Sequence, residues 1–394
     1  MACGRVSPTE GGIITLSGHF PKELSMRFKL KGETEWHTAD AQGNYRLAGV
    51  KVPYDVQLDI GQATVLAEGM TSSRLESVLS DNLEELTAIS SKSRQIFCDL
   101  SGHFPFKTLR VYVAGTLFAQ EINNSPYWIP SYGAPQKVHA FAVGDNDRST
   151  TLPTAYPAYG QADVTAGTEE GQFKSQVNLN RIENGKIQGN ISGVPTGRAA
   201  SVSLAYRGSG DAIGFFFGSN MLEGSRFEFV TPKTKQGDLS VAVGFWDDIR
   251  KDRVVQIHNR VDPDATFDAF LPQTPQILRP LTGRLAKNSE FAWKGPKGIH
   301  LALIEMSSTT EYKAIWVLTR NNSFSLADWD VQLPKLEKAS WSVARFSGSN
   351  RDNFDNLIAL YLSFVYGGQV NRGVFDPALV ELAASKNVEL DPPL

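Results

Sequence analysis

The chain has 394 residues with 41% hydrophobic and 21% charged residues, which fits folded, globular material and is too apolar for disorder. Its length suits two to four domains. A net charge of −3 provides no polycationic surface for nucleic acid or anionic lipid, no run of 18 apolar residues suggests a membrane-spanning helix, and two cysteines cannot form a disulfide scaffold or a Cys-rich zinc module.

A repeat organises the sequence from its start. Leu16-Ser17-Gly18-His19-Phe20-Pro21 returns as Leu100-Ser101-Gly102-His103-Phe104-Pro105, with weaker copies at Ile191-Ser192-Gly193-Val194-Pro195 and Leu281-Thr282-Gly283-Arg284-Leu285. Gly18, Gly102, Gly193 and Gly283 are spaced 84, 91 and 90 residues apart. Each copy is followed by a second strand-like run, among them Met26–Leu30, Leu109–Val113 and Val202–Tyr206. Further on come alternating runs at Tyr54–Leu58, Val138–Val143, Leu239–Val243 and Trp341–Phe346, whose period of two predicts strands with one face inward.

The pattern predicts an all-β protein of four tandem antiparallel β-sandwich domains, Ig-like in character, with a short C-terminal helix. The expected boundaries are a tether at 1–12, then sandwiches at 13–92, 93–185, 186–275 and 276–394. Short connections predict a stiff rod in which neighbours touch end to end. Leu75, Val78, Leu79, Leu83 and Leu86 form an apolar stripe at helical spacing. Asp376-Pro377 opening Ala378–Ala384 predicts the C-terminal helical cap, with Asp as N-cap and Pro in the first turn.

The alternating strands that end in Gly-containing turns, Ile14–Gly18 and Ile187–Gly193, resemble the tandem Ig-like modules of bacterial envelope proteins, including the carboxypeptidase-regulatory-like (transthyretin-like) group. The immunoglobulin Cys…Trp…Cys spacing is not present. The resemblance implies an extracytoplasmic place in a bacterial cell envelope. Met1-Ala2-Cys3-Gly4 is similar to the trailing end of a lipobox, which would make Cys3 a lipid anchor; the alternative is a polar tail with an inert thiol.

No catalytic constellation emerges from the residue pattern. His19, His37, His103, His139, His258 and His300 include no helical zinc pair, and no Gly-x-Ser-x-Gly elbow or phosphate-binding loop is present. Cys98 alternates on a strand and reads as a buried structural thiol. No cofactor is expected. Asp145 and Asp147 begin a calcium-like loop without its Gly and closing Glu, so a turn role competes with calcium. Tyr127, Trp128, Tyr156 and Tyr159, with Trp246, lie in aromatic, Pro-rich stretches that suit either sugar stacking or packing against a neighbouring domain. The sequence therefore predicts a non-enzymatic, membrane-anchored structural or interaction protein whose partners are other envelope proteins or glycans, with carbohydrate binding through the second unit as the alternative.

Overall fold

A computed structural model of the chain describes residues 11–20, 26–61, 63–75, 93–102, 108–114, 119–122, 127–132, 137–144, 151–166, 172–209, 215–245, 252–347 and 379–393. Among these residues the protein is β throughout; the only helical piece is a 3-10 turn at Leu326–Asp328, and no helix is long and apolar enough to cross a membrane.

The first repeat forms β1 (Ile13–His19), β2 (Arg27–Leu30), β3 (His37–Thr38), β4 (Asn44–Lys51), β5 (Tyr54–Asp59) and β6 (Ala63–Met70). The second forms β7 (Ser93–Gly102), β8 (Thr108–Ala114), β9 (Ala119–Ile122), β10 (Tyr127–Tyr132), β11 (Lys137–Val143), β12 (Ala158–Asp163), β13 (Thr165–Ala166) and β14 (Gln172–Arg181). The third runs through β15 (Glu183–Ser192), β16 (Ser201–Gly208), β17 (Phe215–Met221), β18 (Arg226–Lys233), β19 (Gly237–Phe245), β20 (Arg253–Val261) and β21 (Ala269–Phe270). The fourth contains β22 (Gln276–Arg279), β23 (Glu290–Lys294), β24 (Ile299–Ser307), β25 (Tyr312–Thr319), β26 (Ser323–Ser325), β27 (Lys338–Ser347), β28 (Leu379–Ala384) and β29 (Val388–Leu390). Because β15 opens at Glu183, the third stretch starts slightly before the expected boundary at 186.

In three of the four copies of the repeat, the signature glycine has a backbone cause. Gly102, Gly193 and Gly283 all take positive φ, at 102°, 81° and 97°, a region that side chains disfavour. At Gly102 an added Cβ would also lie 2.3 Å from the Leu179 carbonyl oxygen, so space and conformation both demand glycine.

The buried residues of the described stretches gather into four clusters. The cluster of Ile96, Cys98, Leu100, Val111, Val138 and Val177 lies wholly within the second repeat. The others are shared. A thirteen-stranded sheet runs β17-β16-β19-β20-β28-β27-β24-β25-β6-β5-β2-β3, with β29 on β27, and so crosses from the third repeat through the fourth to the first. Alternation sends successive residues to opposite faces. Val65, Ala67, Ala344, Leu382 and Ala384 join the cluster built around Phe20, Phe28 and Tyr45, whereas Leu66, Val343 and Ala383 face the cores on the other side. Smaller sheets, β1-β4, β18-β15-β21 and β22-β23-β26, cover these faces.

This arrangement corrects two expectations. The repeats are not stacked end to end: β6 pairs in parallel with β25, Ala63 opposite Ala314 through Ala67 opposite Leu318, and β28 bridges β20 and β27. Residues Leu379–Ala384 are strand rather than helix, because the backbone edges of β20 and β27 need a partner, and six residues of the segment pair with the first and four with the second. Residues 376–378, and the stripe beyond Leu75, lie outside the described residues.

Candidate functional site

Strand β2 shows how the seam between the first and fourth repeats becomes a site. Phe28 points into the core and is 1% exposed, while Arg27 and Lys29 take the other face. Arg27 stays about half exposed there, but the Lys29 side chain is 5% exposed, and a buried ammonium requires a counter-charge. Asp330 supplies it: Lys29 Nζ donates to Asp330 Oδ2 at 2.7 Å, and Gln57 Nε2 of β5 donates to the Asp330 carbonyl at 3.0 Å. The 3-10 turn delivers Asp330. Ser325 caps that turn by accepting from the Ala327 N–H, and buried Leu326 and Trp329 anchor it.

Cations stack on both tryptophans of the seam. Arg27 and Lys29 lie 4.5 and 4.8 Å from the Trp36 ring centroid, and Lys31 Nζ lies 4.8 Å from that of Trp329. Glu33 fixes the connecting loop by accepting from the Leu30 N–H at 2.9 Å, and its carboxylate sits 3.0 Å from His37 Nε2. Between these groups opens a cleft of about 300 Å³ lined by Lys29, Lys31, Glu33, Lys287, Asp328 and Trp329, among others. The hydrogen bond and charge of Lys29 hold the Asp330 carboxyl below its usual range. Alternating cations and carboxylates against an indole wall suit a polar, hydroxyl-rich or zwitterionic ligand. The lining contains no serine, threonine, cysteine or histidine, and among the described residues no group of three His, Cys, Asp or Glu could hold a metal ion.

No family model matches the sequence, and no curated protein matches it. Solved structures give only remote likeness. A streptococcal ancillary pilin is 8% identical over 64% of this chain and 89% of its own, at a TM-score of 0.17. A Bacteroides ovatus protein described as an adhesin is 9% identical over 47% of this chain and 95% of its own, at 0.16. The pilus adhesin SpaC of Lactobacillus rhamnosus GG, in its open conformation, is 8% identical over 85% of this chain and 47% of its own, at 0.14.

The residues singled out in the sequence are dispersed. Tyr156 and Tyr159 are 0% and 4% exposed, so neither ring is open to a sugar. They pack with Phe141 against Tyr206 and Phe217 of the third repeat, and the Tyr159 hydroxyl lies 2.8 Å from His139 Nδ1 and 3.0 Å from the Tyr206 hydroxyl. Trp128 stands open, 43% exposed on edge strand β10 with its ring 5.2 Å from that of Phe97. Tyr127 precedes it on the same strand, opposite Cys98. Cys3, Asp145, Asp147 and Trp246 lie outside the described residues. Cys98 is a buried free thiol, pushed up to about 12 by desolvation and then by the Asp99 charge. Sequence reasoning missed Lys29, Trp36, Trp329 and Asp330. Their only local sign was a lysine inside an apolar strand run, since its partner lies 301 residues away.

Proposed function

We propose that this chain is a non-enzymatic structural or interaction protein of the bacterial envelope, acting outside the cytoplasm and held there through Cys3. Its body is built of β-sandwich-like units that share strands and cores rather than of four separate domains. The observation that carries the proposal is the sheet shared by three repeats: β6–β25 and β20–β28–β27 tie them by continuous backbone ladders rather than by linkers. Force applied to such a body is resisted by many hydrogen bonds at once, which suits a display or scaffold element. A pilin-like or adhesin-like role is in keeping with the remote structural neighbours, but it rests on the ladders. Protease treatment of intact source cells tests the placement: the protein is expected to be digested, and full protection with recovery in the cytosol would overturn it. Loss of lipid labelling on Cys3→Ala tests the anchor.

A second reading, carbohydrate binding, is favoured by one observation, the open Trp128 ring beside Phe97. Glycan binding abolished by Trp128→Ala in a folded protein would support it; retained binding would remove it.

A further inference from the structure

The seam cleft has hydrogen-bonding capacity left over after its ion pair is made. Lys29 and Gln57 lie directly opposite each other on β2 and β5, so their side chains share a face. Both are buried, and both reach Asp330, Lys29 through Nζ to the carboxylate and Gln57 through Nε2 to the carbonyl. Their polar ends therefore sit together on the floor of the cleft that both residues line.

Each end has unused capacity. An ammonium carries three N–H groups, and among the described residues Lys29 Nζ has one acceptor, Asp330 Oδ2. Gln57 is 4% exposed, and its Oε1 has no donor among the described residues although it is not sealed from solvent. Buried polar groups are normally satisfied, so an idle donor beside an idle acceptor calls for a further partner. The rim repeats the pattern. Lys31 and Glu33 bring a donor and an acceptor from the first repeat, and Lys287 and Asp328 bring another such pair from the fourth. Lys287 and Asp328 are exposed and make no hydrogen bond or ion pair among the described residues.

The floor selects the chemistry of the ligand. A ligand ammonium on Gln57 Oε1 would lie beside the Lys29 ammonium, and a ligand carboxylate on Lys29 would lie beside that of Asp330, so each charge of a zwitterion meets its like. A hydroxyl avoids both repulsions: its oxygen accepts from Lys29 Nζ while its proton goes to Gln57 Oε1. Neighbouring hydroxyls then find the lysines and carboxylates of the rim in the same alternation of donor and acceptor. The volume of about 300 Å³ is at the small end for ligand pockets and suits a short polyol or a single sugar ring.

We propose that the seam cleft binds a hydroxyl-rich ligand, a free sugar or polyol or the end of a glycan, seated on Lys29 and Gln57 and held between the first and fourth repeats. This stands independently of the envelope role and of the open Trp128 ring, which belongs to a strand of the second repeat.

The test titrates the full chain with glucose, galactose, mannose and sorbitol, with glycine and inorganic phosphate as charged comparisons, followed by tryptophan fluorescence and saturation-transfer NMR. Trp329 lines the cleft and serves as the reporter. Saturable binding of at least one sugar or polyol is expected, with Kd on the order of 1 mM, weakened roughly tenfold by Gln57→Met and by the pair Lys287→Ala/Asp328→Ala, and unchanged by Trp128→Ala. Maltotetraose separates the sources: tighter binding than glucose identifies a glycan end, and equal or weaker binding a free sugar. Should circular dichroism show Gln57→Met unfolded, the pair of exposed substitutions decides alone. The proposal is overturned if no sugar or polyol saturates at roughly a hundredfold higher concentration, or if glycine or phosphate binds in their place. Sugar binding that survives the floor and rim substitutions, or that disappears in Trp128→Ala, overturns it as well.

Discussion

Replacing Phe141 by alanine tests whether the second and third repeats share one core. Phe141 lies on β11 of the second repeat but is fully buried in the cluster of the third. Its ring centroid is 4.6 Å from that of Tyr159, 4.9 Å from Phe217 and 5.1 Å from Tyr206. Truncating a buried phenylalanine costs about 3–5 kcal/mol through lost transfer energy and the cavity left behind. The upper part of that range is expected here, because Phe217 and Tyr206 sit on paired strands β16 and β17 and cannot collapse into the gap. The assay is urea unfolding of the wild type, Phe141→Ala, Phe217→Ala and the double variant, followed by fluorescence and by proteolysis that resolves the two repeats. Residues in direct contact should show a coupling of about 1 kcal/mol or more. A cost below about 1 kcal/mol for Phe141→Ala, or single effects that add within about 0.5 kcal/mol, would refute the shared core.

Four further outcomes follow from groups already described. His300 is buried, and desolvation, then the Arg345 charge, lowers it to about 4. Between pH 6.5 and 4 the unfolded chain binds a proton that the folded one does not, so stability should fall with pH by an amount on the order of 3 kcal/mol; His300→Gln should flatten that slope in denaturation curves collected across the window. Cys98 should resist alkylation at pH 8 until urea unfolds the second repeat, as mass spectrometry would record; rapid native labelling would contradict its burial. At the seam, Asp330→Ala leaves the Lys29 ammonium buried and should destabilise more than Lys29→Met, which removes the charge; the lowered Asp330 carboxyl contributes stability above its unfolded range that is lost as pH falls through its folded value, a component absent from Asp330→Asn. Gly102→Ala should cost about 2 kcal/mol or more, measured by thermal unfolding, since φ of 102° and the Leu179 carbonyl both oppose a side chain.

Period-two alternation located strands reliably wherever one face meets a core. The runs Tyr54–Leu58, Val138–Val143, Leu239–Val243 and Trp341–Phe346 are β5, β11, β19 and part of β27. Leu379–Ala384 misled because leucine, glutamate and alanine favour helix in isolation, while the deciding influence was two strand edges from distant parts of the chain. The same distance hid the sites. Tyr156 and Tyr159 look like loop aromatics until Tyr206 and Phe217 cover them, and Lys29 has no local reason to be buried until Asp330 arrives. Positions within a repeat were legible from spacing; contacts between repeats left no periodic trace.

The parallel ladder between β6 and β25 also sets an order of events on the ribosome. Strand β6 is synthesised early, but the Glu68 side chain that accepts from the Thr319 hydroxyl waits for a residue 251 positions later. At about 5–20 residues per second that interval lasts roughly 10–50 s. Throughout it the nascent amino-terminal module carries a bare strand edge, a template for unwanted pairing until its distant mate emerges.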